Sequence, residues 1–200
     1  MEKKAKTSVS INELIAGRWS PRAFDINKVV SNEQIIALCE AARWSPSCAG
    51  DEPWRFIVWN QNTNKDLWEK AFNTLDEFNK VWAKNAPVLI LSLADSKWRK
   101  SRDSDNYWGR YDAGASAMNL YLQAVSIGLA VHPMGGFKID LLKSEFNIPV
   151  EFEPMAMIAV GYQAELDVLD AYNKKREILP RSRQPLGSAF FDSEWEKPII

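Results

Sequence analysis

Two apolar runs constrain the fold most. VLILSLA (88–94) follows Pro87, and MAMIAVGY (155–162) lies further along the chain. Each is short, rich in aliphatic residues and bounded by polar sequence, the pattern of a buried strand. MAMIAVGY reads as a central strand. WRFIVW (54–59) is a third strand, and a short fourth falls near Leu129–His132. No run approaches the ~18 apolar residues of a membrane span. Helical patterns separate these strands at irregular intervals. That disfavours the regular βαβ spacing of a doubly wound fold and points to α+β with a mixed central sheet.

The helical signals begin at Ser10-Ile11-Asn12-Glu13, which has capping-box spacing and predicts a short helix ending near Gly17. Ser31 to Gln34 repeats the start signal, with Ile35, Leu38, Cys39 and Ala42 on one face. Leu67 through Trp82 keep helical period over four turns. Positions 95–106 are polar and predict a surface loop. The next helix, about Asn106 to Ile127, is rich in small residues from Gly109 to Ala117. These let another backbone approach closely, inside the domain or across a dimer interface. A short helix is expected near Ile139–Phe146. From about 163 to Ile200 the chain reads as an irregular C-terminal arm. Its Phe190, Phe191 and Trp195 should lie against something, such as a second subunit.

With 46% hydrophobic residues, 200 residues suffice for one sizeable core, so a single domain over 1–200 is expected. A net charge of -1 argues against nucleic acid as a partner. Cys39 and Cys48 have no zinc spacing and His132 is the lone histidine, so no metal is expected. The N-terminus lacks a signal-peptide apolar core, and the expectation is a cytoplasmic protein with no membrane association.

Three segments carry candidate chemistry. In RWSPRAF, Arg18, Ser20 and Arg22 alternate, so an extended backbone would line one side with donors suited to phosphate or another planar anion. PRSRQPL repeats the spacing with Arg181 and Arg183 between Pro180 and Pro185, whose stiffness lowers the ordering cost of a clamp. PMGGF follows a strand, and its paired glycines let backbone N–H groups approach a ligand. Each segment alone reads better as an ordinary loop or turn. No G-x-G-x-x-G or G-x-x-x-x-G-K-[ST] follows a strand, and no G-x-S-x-G occurs. Chemistry without metal or acid–base apparatus most naturally belongs to an organic cofactor.

Taken in order, RWSPRAF (18–24), EAARWSPSCAGDEPWRFIVW (40–59), NKVWAKNAPVLILSLAD (79–95), GLAVHPMGGF (128–137), MIAVGY (157–162) and PRSRQPL (180–186) resemble the FMN-dependent nitroreductase family. The resemblance implies helices flanking a mixed central sheet. It also implies an intertwined homodimer with FMN at the interface and the C-terminal tail reaching the partner. The implied FMN contacts are Arg18, Ser20, Arg181 and Arg183 at the phosphate and ribityl chain, Arg22 as electrostatic stabiliser near N1/O2, and Asn79 at the pyrimidine edge. Pro46 and Ser47 are implied to come from the other subunit. The turn Pro133, Met134, Gly135 and Gly136 is implied to bring a backbone N–H close to N5. NAD(P)H is then a transient co-substrate. It passes hydride to flavin N5 in a ping-pong cycle that reduces a nitroaromatic, quinone or similar small electron-poor acceptor, with no dedicated catalytic side chain. Relatives of the same fold that dehalogenate, saturate or desaturate bonds, or hold flavin without turnover, are the alternative.

The sequence departs from the family's P-S-x-x-N-x-Q-P-W at Gly50 and Glu52. Losing the Asn amide removes a hydrogen bond of ~1 kcal/mol, which FMN binding should survive. Cys48 is either a small loop residue or a thiol facing the site.

Overall fold

The computed structural model describes all 200 residues. Its centre is a four-stranded sheet built from β1 (Trp54–Asn60), β2 (Val88–Asp95), β5 (Ala130–Met134) and β6 (Phe152–Gly161), in the order β1-β2-β6-β5. All three pairings are antiparallel. The α+β class holds, while the mixed character expected of the sheet finds no parallel pair among this chain's strands. Every residue of β2 is buried. Leu89, Leu91 and Leu93 enter one core with Trp59, Met157 and Ala159, whereas Val88 and Ile90 enter a second with Val131, Ile158 and Val160. Side chains alternate across a strand, so an unbroken apolar run is what a sheet covered on both faces requires.

Five helices supply the covers. α2 (Asn32–Arg43) and α5 (Gly109–Ser126) close the second core with Leu38, Ala42, Leu120 and Ala124. Ser116 Oγ donates to Ala42 O at 2.9 Å, so the small-residue stripe brings α5 against α2 inside this chain. α3 (Lys65–Asn73), α4 (Glu77–Ala83) and α6 (Ile139–Glu145) close the first core with Trp68, Trp82 and Leu142. Burying side chains of this size contributes about 1.5–3 kcal/mol each.

Four expectations need correction. α1 (Glu13–Gly17) is capped by Asn12, whose Oδ1 accepts from Leu14 N, and not by Ser10. Ser31 does form the full capping box with Gln34. The four-turn helix expected over 67–82 is two helices. Residues 74–76 turn their backbone sideways, with Lys138 N donating to Thr74 O and Asp76 N donating to Gly136 O. The polar stretch 95–106 contains a hairpin, β3 (Lys97–Trp98) with β4 (Ser101–Asp105); β4 is exposed throughout and so carries no alternating pattern. Finally, the arm from 163 is not wholly irregular: α7 spans Ala171–Ile178, capped by Asp170. Its buried members are Asn173 and Glu177, so it has no apolar stripe to detect. No helix is long and apolar enough to cross a membrane.

Candidate functional site

α1 ends at Arg18, whose extended backbone turns the chain out of the helix. The Arg18 guanidinium donates to Ser20 Oγ at 3.3 Å. Arg181 arrives from the C-terminal arm and donates to Ala16 O at the end of α1 and to Lys3 O. Arg183 follows, donating through Nη1 only to Ser182 O. Arg18 and the Arg181–Arg183 pair noted in the sequence thus converge. Burial lowers the Arg18 pKa, and the neighbouring charges of Arg181 and Arg183 lower it further. None of the three forms a salt bridge, although eleven exist elsewhere. Three like charges without a counter-ion fit a phosphate, which would relieve the repulsion and accept several guanidinium bonds.

Arg22 lies one step along, half-buried beside the fully buried Glu177 of α7. Glu177 Oε1 accepts from Arg22 N at 2.8 Å and Ala23 N at 3.2 Å, and Oε2 stands 3.8 Å from Arg22 Nη1. Burial is the first cause of the lowered Arg22 pKa, followed by Arg176. His132 packs on Trp82 at 4.4 Å, with Nδ1 2.9 Å from Pro21 O. Burial pushes its pKa down to about 4, so the ring is neutral and Nδ1–H donates. His132 is therefore a packing residue.

At the end of β5, Pro133 and Met134 pair with Ile158 and Met157, and the chain then turns through Gly135 and Gly136. The turn is held by the break between α3 and α4. Asn79 Nδ2 donates to Gly136 O at 2.9 Å, alongside Asp76 N. A Cβ on Gly136 would fall 2.8 Å from Asn79 Nδ2, whereas one on Gly135 would meet nothing within 4 Å. One glycine is thus packed and its neighbour faces open space, the cradle that a flat ligand approaching the backbone needs. Asn79 supports this turn through its amide.

SPSCAGDEPW is strained and pinned. Ala49, Gly50 and Glu52 all have positive φ, near 53°, 62° and 52°. Non-glycine residues pay roughly 1–2 kcal/mol there, and other contacts must hold them. Asp51, 4% exposed, accepts from Arg99 N and Asn106 Nδ2. Asp112 of α5 accepts from Cys48 N, and Ser47 Oγ accepts from Glu52 N. Gly50 stands where the resemblance led us to expect Asn, at a positive φ that both residues tolerate. Pro46, Ser47 and Cys48 line a cleft of about 420 Å³ with Trp108, Tyr111 and Asp112.

Within one chain this loop and the arginine cluster are separate. Asp112 holds the loop, while Tyr121 stands beside Arg18, nine residues along α5 or about 13 Å of rise. Sequence reasoning missed Glu177, Asp112 and the aromatic pair Trp108 and Tyr111. Asp51 was visible inside the quoted stretch, but nothing there marked it as buried.

Comparison with known proteins points to one family. The nitroreductase family pattern matches residues 15–162. A Mycolicibacterium smegmatis protein described as an uncharacterized 15.4 kDa protein is 33% identical over 153 residues, covering 72% of this chain and 99% of that one. A Methanothermobacter thermautotrophicus protein with the provisional name NADH dehydrogenase/NAD(P)H nitroreductase is 30% identical over 166 residues, 80% of each chain. A crystal structure described as an oxidoreductase containing FMN superposes with a TM-score of 0.88 at 30% identity, covering 95% of both chains. The chain belongs to the nitroreductase family.

Proposed function

We propose that this protein is an FMN-dependent NAD(P)H oxidoreductase that reduces nitroaromatics, quinones or similar electron-poor acceptors, folded as one domain over 1–200. The observation that carries it is the convergence of Arg18, Arg181 and Arg183 with no carboxylate partner. These groups and Ser20 would hold the phosphate. Arg22 would place a fixed cation at the pyrimidine edge. Pro133 to Gly136 would present backbone on the open side of Gly135, with Asn79 bracing the turn from behind. When bound, FMN accepts hydride from the nicotinamide at N5 and passes reducing equivalents to the acceptor. The chain's part is to bind, orient and supply positive charge, and none of its side chains needs to gain or lose a proton.

The site would be completed by a second copy. Two features support this: the loop carrying Pro46 and Ser47 lies away from the arginines of its own chain, and the arm leaves Phe190, Trp195, Ile199 and Ile200 more than half exposed. A cytoplasmic location belongs to the same proposal, supported by two unpaired thiols, Cys39 and Cys48.

The test is FMN content after purification. Arg183→Ala removes a guanidinium whose only bond is to its neighbour's carbonyl, so it should weaken FMN binding at least tenfold without lowering the apo-protein's melting temperature. Arg181→Ala combined with it should give colourless protein. Full FMN retention in the double variant overturns the phosphate assignment.

A further inference from the structure

α7 is a surface helix whose inward residues are polar, and in its last turn Glu177 is fully buried. Removing a carboxylate from water costs several kcal/mol unless partners compensate. The compensation here is lopsided. Oε1 takes both backbone N–H groups of residues 22 and 23, while Oε2 has no hydrogen-bond partner. The Arg22 guanidinium is not forked onto this carboxylate: its nearest nitrogen is 3.8 Å away, and its buried Nε has no partner. Bidentate docking is the geometry that an arginine–carboxylate pair adopts when the pair itself is the purpose. Glu177 instead grips the main chain of Arg22 and leaves the fork directed elsewhere. Lys3, Arg22 and Arg176 all lie in this neighbourhood, and Glu177 is the carboxylate among them.

We propose that Glu177 is a positioning residue for Arg22, clamping its backbone and steadying its charge so that the guanidinium stands fixed at the flavin's pyrimidine edge. This rests on the assignment of Arg22 given above. A purely structural carboxylate would stabilise the 22–23 turn and leave flavin energetics untouched. A positioning carboxylate must change how strongly the protein prefers reduced over oxidised FMN. The sign is informative as well. Losing a negative charge near the flavin would, by simple electrostatics, favour the reduced anion, whereas releasing Arg22 from its place disfavours it.

The experiment measures the midpoint potential of bound FMN in the wild type, Glu177→Gln, Arg22→Ala and the double variant, with thermal unfolding of each as a control. Glutamine keeps an oxygen for the two backbone N–H groups and removes the charge. The expected result for Glu177→Gln is a roughly tenfold weaker preference for reduced FMN, about 30 mV more negative for a two-electron couple, and no further negative shift when it is added to Arg22→Ala. Should Glu177→Gln fail to fold, Glu177→Asp, which shortens the reach and keeps the charge, should give a shift of the same sign. An unchanged or more positive potential overturns the proposal, as does an equal shift in the Arg22→Ala background. If Arg22→Ala itself leaves the potential unchanged, the assignment of Arg22 has failed and takes the proposal with it.

Discussion

The turn at Gly135 and Gly136 separates folding from ligand binding within two adjacent residues, and alanine at each position should move stability in opposite directions. At Gly136 the new Cβ would come 2.8 Å from Asn79 Nδ2 and 2.9 Å from Asp76 Oδ2, so both side chains must shift. Asn79 is 9% exposed and its amide donates to Gly136 O. Displacing it loses a bond worth about 1 kcal/mol and leaves a buried donor unmet at a further cost of about 1–3 kcal/mol. Restricting the unfolded chain returns about 0.4–1 kcal/mol. The net is a destabilisation of about 1–3.5 kcal/mol, or roughly a 3–10 °C fall in melting temperature for a chain of this size. At Gly135 the added methyl meets nothing within 4 Å, and its φ is not positive. Only the unfolded-state gain remains, so Gly135→Ala should melt about 1–3 °C higher. Yet it places a methyl in the space assigned to the flavin edge and should weaken FMN binding. Thermal unfolding of the apo-proteins and FMN titration of each decide the matter. Equal melting temperatures for the two variants, or undiminished FMN affinity in Gly135→Ala, would refute the reasoning.

Two further substitutions test the surroundings. His132 has its pKa lowered from 6.5 to about 4, so the unfolded chain takes up the proton first as pH falls. Stability should drop between pH 6.5 and 4 by up to about 3 kcal/mol; His132→Phe should flatten that part of the profile, and an unchanged slope would contradict the burial argument. Asp51→Ala removes the acceptor for Arg99 N and Asn106 Nδ2 and should cost about 2–4 kcal/mol in denaturant unfolding. A loss under about 1 kcal/mol would mean that other contacts hold the 47–52 loop.

How far the sequence could be read depended on what each element buries. β2 and β6 were legible because both faces are apolar, and α2 because Ser31 and Gln34 spell out its cap. The α3–α4 break was not legible, since the apolar period runs through Leu75 while the interruption comes from hydrogen bonds to a turn some sixty residues away. α7 was hidden because its inward side chains are Asn173 and Glu177, which no hydrophobic pattern registers. Of the candidate site, Arg18, Ser20, Arg181 and Arg183 were legible as spaced cations, but their convergence is tertiary. The role of Asn79 as a brace and the clamp on Arg22 depend on contacts between segments far apart in the chain, so no local window could reveal them. SPSCAGDEPW carried its meaning in its backbone: Ala49 and Glu52 accept strain that Asp51 and Asp112 hold in place.

The central claim is that this chain carries FMN and cycles it between a nicotinamide donor and an electron-poor acceptor. The most direct measurement is anaerobic titration of the purified protein with NADH and, separately, NADPH while the flavin absorbance is followed, then addition of a nitroaromatic or a quinone. The account predicts a yellow protein that at least one nucleotide bleaches and the acceptor restores to full colour. Protein that is colourless and binds no added FMN, or that stays yellow with both nucleotides, would contradict it.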